Sequence, residues 1–93
     1  MNTFGQRIKA LRQDRDLSVR ELAALLGKTG GYVSRIETQS EIPSPDLIIQ
    51  LAVALKVAPT ELLDLARSSV LEQTWAKVTE RHAEALRLYR KSR

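Results

Sequence analysis

Residues 18–37, SVRELAALLGKTGGYVSRIE, restrict what this chain can fold into more than any other stretch. Ser18 caps a helix, and Glu21 three residues later completes an S-x-x-E capping box. Leu22, Ala23 and Leu26 then recur at helical spacing, and Gly27 stands where a helix ends most cheaply in a left-handed residue. Thr29 caps a second helix, whose buried face is Val33 and Ile36. Two short helices joined by so tight a turn cross steeply. Such a crossing needs a small side chain at the contact (Ala23), no Cβ at the turn (Gly27), and apolar anchors on the second helix (Val33, Ile36).

That set of residues makes the helix-turn-helix pattern, in which the second helix enters the major groove of DNA. The chain on either side of it resembles the XRE/Cro-type phage-repressor helix-turn-helix family. The matching pieces are FGQRIKALR at 4–12, LSVRELA at 17–23, GYVSRIE at 31–37, and P-x-P-D-L…LAVALKVAPTELL at 43–63. The resemblance implies an all-α fold, a five-helix repressor-like domain working on double-stranded DNA as a homodimer at a symmetric operator. It also implies that Arg12 pairs with Glu37, the glutamate closing the recognition helix. Taken alone, Arg12 reads as an ordinary surface arginine. The pair is the better expectation, since one charge left alone at a helix crossing is costly and two together are tolerated.

The size and charge of the chain fit this reading. Its 93 residues make one small domain with a modest core. A 43% hydrophobic fraction is too high for a disordered chain. With no cysteine, neither a disulfide framework nor a thiolate metal site is available. Residues 1–15 carry Arg7, Lys9, Arg12, Asp14 and Arg15, a pattern unlike a signal peptide. The longest uncharged run, residues 47–55, falls far short of the roughly 20 apolar residues that span a bilayer. A cytoplasmic protein with no membrane partner is therefore expected. Residues 1–35 hold seven Lys/Arg against three acids, residues 36–66 one against five, and residues 67–93 seven against three. A basic first part carrying the helices meant for DNA is what phosphate contact requires, although any single charge there could merely solvate the surface.

Thr3 and Gln6 open the first helix with a T-x-x-Q capping box, and Phe4, Ile8 and Leu11 share one face. A loop of about six residues with two prolines follows Ile36. Ser44-Pro45-Asp46 then starts helix four, with Leu47, Leu51, Ala52 and Leu55 buried. Pro59 opens helix five, with Leu62, Leu63 and Ala66 facing inward. These elements place the DNA-binding domain at residues 1–66. Residues 67–93 form a C-terminal extension in which Ser68 and Ser69 could start an additional helix. There, Leu71, Trp75, Val78, His82, Ala85 and Tyr89 follow at spacings of four, three, four, three and four, with Leu86 beside them. Such a heptad-like seam is expected to be the dimer interface; the alternative is that it folds back on helix five.

The residues expected to face DNA are Arg12, Arg20, Lys28, Thr29, Gly30, Gly31, Tyr32, Ser34, Arg35, Thr38 and Gln39. Arg35 is the candidate for a bidentate guanine contact, with a phosphate clamp as its other reading. Three features depart from what the resemblance implies. The main base-reading positions are Gly30 and Gly31, which have no side chain to read with. Either they let the helix N-terminus approach the phosphates, or base readout has been lost and the module binds protein. Val19 stands where the family commonly has a phosphate-contacting Gln. The loop at 39–45 has no Lys or Arg and includes Glu41.

Catalysis finds little support. His82 is the only histidine, Ser34 has no evident base, and metal, cofactor and nucleotide motifs are absent. The rival to a DNA-binding regulator is an antitoxin-like or accessory module that binds a protein partner through the C-terminal helix, with DNA binding secondary.

Overall fold

Four helices begin directly behind a serine or threonine whose hydroxyl accepts a backbone N–H three residues on. Thr3 precedes α1 (Phe4–Asp14), Ser18 precedes α2 (Val19–Leu26), Thr29 precedes α3 (Gly30–Thr38), and Ser44 precedes α4 (Pro45–Leu55). Each hydroxyl satisfies one of the N–H groups that a helix start leaves without an intrahelical partner. In α1 and α2 the box closes from the other side as well. The Gln6 and Glu21 side chains accept the N–H of Thr3 and Ser18, both at 3.0 Å. The hydrogen bonds with Ser18, the backbone one first, hold the Glu21 carboxyl below its ordinary pKa. The computed structural model describes residues 3–91, apart from the side chains at positions 76, 78–81, 85, 86 and 88–91.

Helix ends follow the same local logic. Gly27 closes α2 in the left-handed region at φ 66°, and the Lys28 N–H donates to the Ala23 carbonyl at 2.9 Å. Lys56 closes α4 in the same way at φ 57°, with the Val57 N–H on the Ala52 carbonyl at 3.0 Å. A side chain in that conformation costs about 1–2 kcal/mol, which the two satisfied carbonyls and the following helix offset.

The apolar faces meet in one core of Phe4, Ile8 and Leu11 from α1, Leu22, Ala23 and Leu26 from α2, Val33 and Ile36 from α3, Leu47, Ile48, Leu51, Ala52 and Leu55 from α4, and Leu62 and Ala66 from the last helix. Ile48 joins the face read from periodicity, and Leu63 is only partly buried. α3 is held between α1 and α2, while α4 rests on α2 and the last helix. Two polar ties brace the rim: Arg7 donates to Glu61 at 2.7 and 3.0 Å, and Arg15 Nε donates to the Leu55 carbonyl at 3.1 Å.

The last helix, α5, runs unbroken over Pro59–Lys91, 33 residues. The extension is helical, but it is continuous with helix five instead of beginning afresh at Ser68. No Gly or Pro interrupts that stretch. The Ser69 hydroxyl donates back to the Leu65 carbonyl at 3.0 Å within the helix instead of capping a new one. Rising about 1.5 Å per residue, α5 is about 50 Å long and sets the long dimension of a molecule measuring 60 × 25 × 22 Å. Leu62 and Ala66 anchor its first turns, whereas Val70, Leu71 and Trp75 are exposed. Among the described residues no helix is long and apolar enough to cross a membrane.

Gly5 is buried where α1 crosses the end of α3. A Cβ there would collide with the Ile36 carbonyl oxygen and lie 2.9 Å from that of Glu37. Both obstacles are backbone and cannot swing aside. Gly5→Ala should therefore destabilise the domain by about 1–3 kcal/mol, despite the roughly 1 kcal/mol that alanine gains in a helix interior. Urea unfolding measures this, and an unchanged midpoint would mean that α1 and α3 separate there at no cost.

Candidate nucleic-acid interface

The surface built on α3 begins with how the helix is seated. Its apolar side, Val33 and Ile36, is fully buried. With 3.6 residues per turn the other side then has to face water, and Gly31, Ser34, Arg35 and Thr38 are all exposed. Lys28 and Thr29 in the turn before α3 and Gln39 just after it are exposed as well. Arg20 projects from α2 beside this surface, its Cγ 3.5 Å from where a Gly30 Cβ would be. Val19 is half-buried against the core.

A glutamate and an arginine lock this seating from below. Arg12 Nε donates to Glu37 Oε2 at 2.7 Å and Arg12 Nη2 to Glu37 Oε1 at 3.0 Å, a bidentate pair, while Nη1 donates to the Leu17 carbonyl at 2.8 Å. The side chains are only 11% and 4% exposed. The hydrogen bond to Glu37 holds the Arg12 guanidinium above its ordinary pKa, against the opposing effect of burial. Arg12 thus stands inside, away from the surface where the sequence also placed it. Three of its donors are spent on Glu37 and Leu17, and none of that geometry points to a ligand.

On the outer side a second group forms. The Tyr32 ring is half-buried against the core, with Lys28 Nζ 5.5 Å and Arg35 Cζ 5.6 Å from its centroid. Burial raises the Tyr32 phenol above its ordinary pKa, with Glu41 adding to the rise and Arg35 opposing it. The phenol therefore remains a donor at neutral pH. Arg35 Nε donates to Glu41 Oε2 at 3.1 Å. Sequence reading saw Glu41 only as a missing basic residue; its relation to Arg35, six residues away across a loop, has no periodic signal. Ser40 makes the approach possible by turning the chain at φ 56° directly after α3.

Gly30 and Gly31 are not required by packing. A Cβ on Gly30 would meet only Arg20 and Val19 side-chain carbons at 3.5 and 3.7 Å, and one on Gly31 only the Thr29 hydroxyl at 3.9 Å. Thr38 donates its hydroxyl to the Ser34 carbonyl at 2.7 Å. Of the seam, Leu71, Trp75 and His82 are exposed on α5, while the side chains of Val78, Ala85, Leu86 and Tyr89 lie outside the described residues. Among the described residues no group of three or more His, Asp or Glu could hold a metal ion.

Known proteins share this helix-turn-helix fold. The family model described as helix-turn-helix matches residues 8–62. The HTH-type transcriptional repressor RghR of Bacillus subtilis (strain 168) is 41% identical over 58 residues, 61% of this chain and 43% of that protein. The chain spans less than half the length of the curated relatives it matches. The crystal structure of SinR, master regulator for biofilm formation, in complex with DNA is 34% identical, with a TM-score of 0.60 over 66% of this chain and 98% of that one. A SinR/SinI protein complex is 28% identical, with a TM-score of 0.60 over 98% of this chain and all of that one.

Arg12→Met should cost about 3–5 kcal/mol, because it leaves the Glu37 carboxylate buried without a counter-charge. Replacing both partners, Arg12→Met with Glu37→Leu, should recover most of that loss. Chemical unfolding of the two variants measures the difference. Equal losses in both would mean that the pair's packing, and not its charge, is what matters.

Proposed function

Because the chain belongs to the XRE-type helix-turn-helix family, a family of DNA-binding regulators and not of enzymes, we propose that it is a transcriptional regulator that binds double-stranded DNA as a homodimer, with α3 in the major groove. One observation carries the reading. The outer face of a helix buried on its other side by Val33 and Ile36 gathers Arg20, Lys28, Tyr32, Ser34 and Arg35. Cations and hydroxyls of that kind contact phosphates and base edges. The N-terminus of α3 at Thr29, Gly30 and Gly31 meets the backbone, where helix N–H groups favour phosphate. Thr38 and Gln39 extend the contact at its far end. The relatives named as a repressor and as a regulator seen on DNA support the same reading.

Dimerisation belongs to residues 67–93. Val70, Leu71 and Trp75 are 44%, 60% and 71% exposed along α5, just past the turns anchored in the core. Pairing of two copies through this part of the helix would set two α3 helices on half-sites about 34–36 Å apart. A second reading, that the same helix face takes a different protein, draws on the SinR/SinI complex, whose likeness to this chain runs through α5.

Arg35→Ala should weaken operator binding and relax preference at one base pair by about 1–3 kcal/mol. Affinities for single-base variants of a DNA selected by the protein from a random library measure this. A uniform loss across the variants would make Arg35 a phosphate clamp. For the dimer, sedimentation of the whole chain and of a chain ending at Arg67 should give a dimer and a monomer respectively. Trp75→Ala in the whole chain should move it toward monomer without altering the preferred DNA sequence. A monomeric whole chain would favour the partner-protein reading instead.

A further inference from the structure

Glu41 is an acid in the loop after α3, at the edge of a surface otherwise suited to phosphate. It is the only charged residue between Glu37 and Asp46, and a carboxylate there lowers affinity for every DNA sequence alike. The structure gives it one specific relation. Its Oε2 accepts the Arg35 Nε–H at 3.1 Å, with both side chains nearly half exposed. A bidentate guanine contact can be made by the two terminal nitrogens of arginine meeting O6 and N7, so a bond through Nε does not compete with it. The Tyr32 ring lies beneath the guanidinium, 5.6 Å from its Cζ. Arginine is long and loses much rotamer freedom when held in one direction. Here the ring and the carboxylate restrict it before DNA arrives.

We propose that Glu41 is a positioning residue for base readout, holding Arg35 by Nε so that its terminal nitrogens meet one base edge. The proposal rests on the reading of α3 as the recognition helix. It assigns opposite effects to one side chain. Glu41 weakens sequence-independent binding through its charge, and it sharpens preference at the base pair Arg35 reads. The turn at Ser40, φ 56°, is what returns the chain far enough for the carboxylate to reach Arg35. Lys28, whose Nζ is 5.5 Å from the Tyr32 ring centroid, is left as a phosphate contact that needs no such partner.

The test uses the whole chain and a duplex selected by the protein from random-sequence DNA, with single-base variants of that duplex and one unrelated duplex as probes. Glu41→Ala should reduce discrimination at the Arg35 position by about threefold, the scale expected for loss of one exposed ion pair. Binding to the unrelated duplex should hold or tighten. Glu41→Gln keeps an acceptor for the Nε–H and should retain most of the discrimination. In an Arg35→Ala background, Glu41→Ala should leave base preference unchanged. If Glu41→Ala tightens binding equally to all duplexes with discrimination intact, Glu41 is only an opposing charge and the proposal falls. If Arg35→Ala itself leaves every base preference unchanged, it is the recognition role of Arg35 that fails.

Discussion

The Arg12–Glu37 pair is the interaction on which the rest of this structure depends. It joins the first helix to the last turn of the third, at the point where Gly5 lets the two backbones come together. A buried ion pair is weak as a source of net stability, because the desolvation of both charges offsets most of their attraction. Its effect is on orientation. A bidentate fork accepts one geometry, and the third donor to Leu17 ties the same guanidinium to the segment leading into α2. One side chain thereby references α1, the entry to α2 and the end of α3 to each other.

That orientation matters because α3 has two faces with opposed requirements. Val33 and Ile36 must be fully enclosed, and the face opposite must stay open to solvent if a duplex is to reach it as proposed. Small rotations of the helix would expose one or cover the other. α3 is only nine residues long, too short to be stable by itself, so its direction is imposed by α1 and α2. Gly5 tightens one side of that grip, and the left-handed turn at Gly27 brings α2 against the other. The outer group of Lys28, Tyr32, Arg35 and Glu41 follows from this seating. Two cations and a carboxylate gather around a half-buried ring, whose position is fixed by the core beneath it.

The long α5 divides differently. Its first turns are part of the core through Leu62 and Ala66, and the turns beyond carry exposed Val70, Leu71 and Trp75 without a change of direction. A continuous helix transmits orientation, where a hinge at Ser68 would have lost it. Two α5 helices joined beyond the core would then set the spacing of their recognition helices rigidly, as a symmetric DNA site requires. The helical domain and the extension are separate in sequence pattern and continuous in backbone.

Helix starts and stops were legible from the residues alone, because each depends on atoms within four positions. Thr3 with Gln6, Ser18 with Glu21, Thr29, Ser44 with Pro45, and Gly27 act locally and are seen in the sequence as in the fold. The core was legible for the same reason, since the apolar positions repeat at the period of the helix. What the residues could not reveal is long-range: that a methyl at Gly5 would strike the backbone of α3, that Lys56 would adopt a glycine-like conformation, and that Ser69 would bond within a helix instead of starting one. They also left Arg12 with a place on two surfaces, and it occupies only the inner one. Nothing in the sequence linked Glu41 to Arg35, because that contact exists only after a loop without regular period has turned back over α3. Local hydrogen bonding and periodicity are written in neighbouring residues. Approach between backbones, and between side chains across a loop, depends on how the helices cross, and that is decided when the core closes.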